Sequence, residues 1–163
     1  MTKRITRAAL LTALALILFA AEAQIPPLVP IPGVKLGLAN VVTVWAMFSL
    51  GPADTLAILL ARILLGSVFA GSVSAAIFSL SGGFLCYLAM LLLRRILTER
   101  QMWVCSVFAA VCHNAGQLLA AILVYRTRGL ALYFPVLMFS GIVTGLFTGL
   151  TAQLVARRLG RKG

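Results

Sequence analysis

Six long apolar runs occupy most of the chain, and they restrict its fold more than any other feature. Only 10% of the residues are charged and 62% are hydrophobic, whereas a soluble domain carries about 25% charged residues. The chain therefore cannot cover a water-facing surface, and we predict an all-α integral membrane protein with one domain, residues 1–163. The predicted helices lie at residues 8–24, 36–50, 54–70, 73–94, 102–125 and 130–156.

The second and third runs are shorter than the last three. A transmembrane helix needs roughly 20 residues, and these runs have only about 15 or 16 on that scale. They are compatible either with two tightly packed spans or with one re-entrant hairpin, and both arrangements give the chain the same topology. Asp54 follows the Gly51-Pro52 turn, and we expect it to be the N-cap of the third helix.

The positions of the basic residues predict the orientation of the chain. Cytoplasmic loops of membrane proteins are enriched in Lys and Arg, and six spans bring ten of the 14 basic residues to one side. We therefore expect both termini on the cytoplasmic side of the plasma membrane. This placement explains the net charge of +11 without a nucleic acid partner. The ten residues are Lys3, Arg4, Arg7, Arg94, Arg95, Arg100, Arg157, Arg158, Arg161 and Lys162.

A proline-rich segment, IPPLVPIPGVKLGLAN, connects the first two runs at residues 25–40 and holds four of the six prolines. Proline fixes φ and lacks an N–H group, so no helix continues through the segment. Irregular backbone in a membrane protein lies at the surface or lines a protected cavity. We predict a lid over a ligand site. Gly33 and Gly37 would allow close backbone approach, and Lys35 and Asn40 would contact the polar part of the ligand.

Polar residues within the spans indicate further candidate contacts, because such residues are costly in lipid. His113, Asn114 and Gln117 share one face of the fifth run at helical spacing. They either contact the ligand or form hydrogen bonds between helices. Arg62 lies inside the third run, where an unpaired guanidinium costs at least about 2.5 kcal/mol. It needs an anionic ligand or a structural partner such as backbone carbonyls or His113, and we favour the structural partner.

Charged residues near the predicted outer surface allow similar alternatives. Lys35, Arg126 and Arg128 fall on the outer side, where they would attract either an anionic ligand or lipid headgroups. Glu22 ends the first run and either pairs with Lys35 or is a solvated helix end.

Small residues predict close contacts between helices. Gly141, Gly145 and Gly149 form a double GxxxG pattern in the last run, and such faces allow helix backbones to approach. The pattern serves either internal packing, which we favour, or docking to a partner helix.

The sequence argues against catalysis. It contains no GxxxxGK[ST] loop for ATP, and its single Asp excludes an aspartate-rich site for Mg²⁺ and diphosphate. One His without a nearby acid gives no catalytic triad. Three cysteines inside apolar runs fit no metal motif. We therefore expect a protein that is not an enzyme, with no catalytic residues, metal or cofactor.

Several motifs make the chain resemble a known family, called heptaprenyl diphosphate synthase component I or the Gx transporter family. The motifs are PPLVPIPGVKLGLANVVT, LGP, ARILLGSVFAGS, SGG and FAAVCHNAGQLL. That family is similar in turn to the S components of energy-coupling-factor (ECF) importers, which bind a small ligand near the outer face. The resemblance implies a six-transmembrane-helix bundle that works with a T subunit and an ATPase pair. It also implies that an AxxxA face, matched by Ala9 and Ala13, docks to the T subunit.

We therefore expect a membrane-embedded, substrate-binding subunit that captures a small anionic or vitamin-like ligand at the outer face. A vitamin, a flavin and an isoprenoid are all candidates for the ligand. One alternative is a non-catalytic membrane accessory of heptaprenyl diphosphate synthesis, as the family label implies. Another is a structural subunit of a membrane redox or flavin-handling complex, which would bind no small ligand.

Overall fold

The computed structural model describes residues 2–24, 37–71 and 73–160, and its regular structure is entirely helical there. Short 3₁₀ helices at Glu99–Gln101 and Arg128–Tyr133 precede the last two α-helices. Five α-helices are long and apolar enough to cross a membrane, and α2 is a shorter apolar helix. The prediction of an all-α membrane bundle is confirmed. The α-helices are α1 (Thr2–Ala23), α2 (Leu38–Ser49), α3 (Pro52–Ala70), α4 (Val73–Leu93), α5 (Met102–Tyr125) and α6 (Phe134–Gly160).

Four helices begin at positions that differ from the predicted ones, and one of them, α2, begins at Leu38 rather than at residue 36. The basic head continues α1 back to Thr2, because Lys and Arg are good helix formers. The α3 helix begins at Pro52, after Gly51 with a φ of 102°, because proline is pre-organised for the first helical position. Asp54 therefore lies in the first turn of α3, and its predicted role as N-cap is wrong. The α6 helix begins at Phe134, since a 3₁₀ helix occupies the preceding residues.

The length of α2 bears on whether the second and third runs form two spans or one re-entrant hairpin. With 12 residues, α2 is about 18 Å long, whereas the hydrocarbon core of a bilayer is about 30 Å thick. The α3 helix has 19 residues and is long enough to span. The pair is therefore a partial-length helix beside a helix long enough to span, and the first residues of α2 are partly or fully buried.

Glycines on α6 bring it into close contact with α5. A Cβ atom at Gly145 would lie 2.6 Å from the Cα of Val107, and one at Gly149 would lie 2.5 Å from the Cα of Trp103. The double GxxxG pattern therefore serves internal packing, as predicted. The hydroxyl groups of Ser106 and Thr148 form a buried hydrogen bond of 2.9 Å across the same interface.

The six helices form two groups of three. The α5 helix packs between α4 and α6, whereas α1 packs mainly against α2 and α3. Contacts of α2 with α6 and of α3 with α4 join the two groups. The outer face of α1 stays exposed, including Leu10 and Ile17. Many other large apolar side chains are exposed on the remaining helices, as expected for surfaces that face lipid.

One exposed ion pair joins the beginnings of α1 and α3. The Arg4 Nε donates to both carboxylate oxygens of Asp54, at 2.7 and 2.9 Å. The Arg4 side chain is 66% exposed, and exposed ion pairs contribute at most about 1 kcal/mol to stability. We expect a double-mutant cycle of Arg4→Ala and Asp54→Ala to give a coupling below about 1 kcal/mol. Unfolding in mixed micelles titrated with dodecyl sulfate would measure it, and a coupling of twice that value would contradict the expectation.

Candidate ligand site

A cavity of about 60 Å³ lies inside the bundle, and all six α-helices contribute residues to its lining. Eight of the twelve lining residues carry polar or charged side chains. This concentration is notable because polar groups are costly inside a membrane bundle and tend to be functional there. The cavity is therefore the candidate ligand site.

The structure brings together five of the seven predicted ligand-binding residues. Gly37 and Asn40 line the cavity from the beginning of α2, and His113, Asn114 and Gln117 line it from α5. The other two, Gly33 and Lys35, lie outside the described residues, as does most of the predicted lid. The ligand-binding role of these side chains stays a prediction, but they do share one polar cavity.

Glu22 holds the first turn of α2 in place. Its carboxylate accepts hydrogen bonds from the backbone N–H groups of Gly37, at 2.6 Å, and Leu38, at 3.0 Å. These N–H groups have no partner within their own helix, and a negative charge is favourable at a helix N-terminus. Gly37 has a φ of 71°, which glycine adopts without strain. Glu22 is only 7% exposed, so the expectation of a solvated helix end is wrong.

Arg62 reaches the same cavity from α3 and has few partners. It is 8% exposed, and within the described structure its Nε has no hydrogen-bond partner. None of the three carboxylate side chains, all of which are described, lies within 4 Å of its guanidinium. Glu22 attracts the charge of Arg62 without forming an ion pair with it. The favoured expectation, a structural partner such as backbone carbonyls or His113, is not met by any described hydrogen bond of the Nε atom.

The polar residues of α5 are placed for both of their predicted roles, because they line the cavity and one of them forms a hydrogen bond to another helix. The Asn114 Nδ2 donates to the backbone oxygen of Leu137 on α6, at 2.7 Å, so this amide joins two helices. Gly82 of α4 allows close approach on the other side of α5. A Cβ atom at Gly82 would lie 2.7 Å from the Cγ of Gln117 and 2.8 Å from the backbone oxygen of His113. This close packing fixes the part of α5 that borders the cavity.

The two outer cations that the structure describes do not line the cavity. Arg126 and Arg128 are exposed where α5 ends and the following 3₁₀ helix begins, and Lys35 lies outside the described residues. Neither residue is therefore placed for direct contact with a ligand in this cavity, and their attraction of an anionic ligand or of lipid headgroups stays a prediction. Among the described residues, the cation that lines the cavity is Arg62, for which the sequence allowed either an anionic ligand or the favoured structural partner.

The first helix presents two of its small residues to the outside. Ala9 and Ala13, the predicted docking residues, are both exposed on α1. No described helix covers them, so this face is accessible to another membrane helix. Their docking role stays a prediction.

Comparison with known proteins gives one informative result. The family model described as heptaprenyl diphosphate synthase component I matches residues 11–155. The matched segment contains every residue that lines the cavity. No curated protein matches the chain.

Proposed function

The chain belongs to the heptaprenyl diphosphate synthase component I family, and from the polar cavity in its membrane bundle we propose that it is the substrate-binding subunit of an ECF-type importer. The family resemblance based on the motifs is confirmed. The observation that carries the proposal is the cavity itself: all six helices of an apolar bundle direct polar side chains to one place. An assembly subunit that binds no small molecule does not require polar side chains from all six helices around one cavity.

In this proposal the bundle binds the ligand and separate proteins supply the energy. Asn40, His113 and Gln117 contact the polar part of a small ligand that enters from the outer side of the plasma membrane. The sequence has no phosphate-binding loop for ATP, so transport relies on an ATPase pair and a T subunit. Both termini are cytoplasmic, and the protein itself catalyses no reaction.

The exposed face of α1 is the proposed contact with the T subunit. Ala9 and Ala13 are exposed, and small residues at helical spacing allow another helix to approach closely. The position of α1 supports this assignment, because α1 packs mainly on two neighbours and leaves its outer side open.

The family description favours one second candidate, a non-catalytic membrane accessory of heptaprenyl diphosphate synthesis. A diphosphate carries anionic oxygens that Arg62 and nearby amide donors would bind. This candidate predicts a soluble prenyl diphosphate synthase as the partner, where the importer predicts ATPases.

Native mass spectrometry of the protein purified gently from its own host would separate the two candidates. For the importer we expect one small bound molecule and co-purification of a T subunit with two ATPases. The double variant Ala9→Leu/Ala13→Leu should lose the T subunit and keep the small molecule, because leucine blocks close helix approach.

Ala57→Leu provides the matched control, since Ala57 is also an exposed alanine but lies on α3. It should keep both the T subunit and the small molecule. Co-purification of a soluble prenyl diphosphate synthase, with no ATPase in any preparation, would overturn the importer proposal in favour of the accessory role.

A further inference from the structure

Arg62 is a buried cation whose surroundings do not explain it. It is more than nine-tenths buried, it lines the cavity, and its Nε has no hydrogen-bond partner among the described residues. A buried charge without partners is strongly unfavourable. Such a group is therefore expected where a ligand completes its hydrogen bonds.

Two polar side chains that line the cavity with Arg62, those of Glu22 and Asn114, are already engaged. Both carboxylate oxygens of Glu22 accept N–H groups from the start of α2. The amide nitrogen of Asn114 donates to the Leu137 carbonyl. The other two carboxylates are Asp54, which pairs with Arg4, and Glu99, which is exposed on the 3₁₀ helix before α5. The protein thus brings a positive group to the cavity and gives it no anion at contact distance.

The beginning of α2 adds positive potential to the same cavity. Gly37, Ala39 and Asn40 all line it, and a helix N-terminus carries a partial positive charge. Partial-length helices that end inside a membrane bundle commonly direct this end toward the anionic group of a substrate. The carboxylate of Glu22 offsets part of this positive potential. Both of its oxygens are bonded to N–H groups of α2, so Arg62 has no carboxylate of its own at contact distance.

We propose that Arg62 binds an oxyanion of the ligand, a carboxylate or phosphate group, with Asn40 and Gln117 as neighbouring amide donors. The inference rests on the proposed ligand-binding function and adds the chemical class of the ligand. The planar guanidinium matches the paired oxygens of such groups. A cavity of about 60 Å³ is also small beside the roughly 300 to 1,000 Å³ of whole-ligand pockets, so it takes the anionic end of the molecule.

The test compares wild-type protein with Arg62→Gln, Arg62→Lys and Arg100→Gln, all purified from the native host. Small molecules released by denaturation are quantified by mass spectrometry, and inorganic phosphate is titrated calorimetrically into stripped protein. We expect wild type to release a carboxylate or phosphate compound. Occupancy and phosphate affinity should fall at least about tenfold in Arg62→Gln. They should fall less in Arg62→Lys, which keeps the charge but loses the paired N–H donors of the planar guanidinium. Arg100→Gln removes the same charge from an exposed site and should match wild type.

Partition of the released molecule between water and an organic solvent identifies its source. A free metabolite stays in the aqueous phase, whereas a lipid or prenyl compound enters the organic phase, and an oxyanion in either phase supports the proposal. A neutral or cationic ligand, or equal occupancy in Arg62→Gln and wild type, would overturn the oxyanion assignment and leave the ligand-binding function standing. Wild-type protein that releases no molecule and does not bind phosphate would overturn both.

The stability of ligand-free protein gives a second test that does not depend on the ligand. Because Arg62 lacks a carboxylate partner in the structure, Arg62→Gln should unfold at the same dodecyl sulfate fraction as wild type, or at a higher one. Strong destabilisation of both Arg62→Gln and Arg62→Lys, with phosphate affinity in Arg62→Lys no lower than in wild type, would assign the guanidinium to the fold and reject the proposal.

Discussion

Gly149→Leu is expected to prevent α5 and α6 from packing and to leave little folded protein. A Cβ atom at position 149 would lie 2.5 Å from the Cα of Trp103 and 2.6 Å from the Cβ of Ser106. The backbone of α5 cannot move aside locally, so the helices must separate and the Ser106–Thr148 hydrogen bond must break. Overpacking typically costs 1 to 3 kcal/mol when side chains can adjust, and we expect at least about 3 kcal/mol here because the obstacle includes backbone.

The loss would be measured as the shift in the unfolding midpoint in mixed micelles titrated with dodecyl sulfate. Gly129→Leu is the matched control, because nothing lies within 4 Å of a Cβ atom at Gly129. This control should unfold close to wild type. If Gly149→Leu also unfolded at the wild-type midpoint, the close contact between α5 and α6 would not exist as described.

Glu22→Ala is expected to destabilise the start of α2 by about 3 kcal/mol, because it removes two hydrogen bonds to a buried charged group. The backbone N–H groups of Gly37 and Leu38 would lose their acceptor inside the bundle. Glu22→Gln retains one acceptor oxygen but directs an amide donor at the second N–H group. Its effect should therefore lie between those of alanine and wild type.

Dodecyl sulfate unfolding would give the size of the effect, and hydrogen exchange at the first turn of α2 would locate it. Exchange at Leu38 should accelerate, while exchange in α5 should not change until the whole protein unfolds. Glu99→Ala removes an exposed acid and serves as the control for the change in net charge. Unaltered exchange at Leu38 in Glu22→Ala would show that the carboxylate does not support α2.

The sequence predicted the shared position of Asn40, His113 and Gln117 better than it predicted the charged residues. Amides and histidine inside apolar runs have one plausible destination, the bundle interior, so their convergence follows from hydrophobicity alone. Gly145 and Gly149 were predictable for a similar reason, since a repeat of small residues marks a close helix contact.

Glu22 and Arg62 could not be assigned in the same way, because their roles depend on the length of α2. Glu22 ends an apolar run and therefore resembles a surface residue in the sequence. It is buried because α2 begins at Leu38 and places its N–H groups against the carboxylate. The role of Arg62 depends on the same geometry. Glu22, the acid that lines the cavity with it, is bonded to the N-terminus of α2 and forms no ion pair with Arg62. The exposure of Arg126 and Arg128 was likewise set by where α5 ends.

The cavity borders both groups of helices, and its occupancy therefore affects how long the protein persists. A molecule bound there would contact α1–α3 and α4–α6 at once and would hold the two groups together without a covalent bond. Any partner of the native state alone stabilises it by mass action, by about 2.7 kcal/mol at one hundred times its dissociation constant. Lipid supplies little driving force for helix association. A stabilisation of this size is therefore large relative to the other interactions that hold the two groups of helices together. Under the proposed function, the empty protein would be the form most open to membrane proteases, and its abundance in the cell would follow the supply of its ligand.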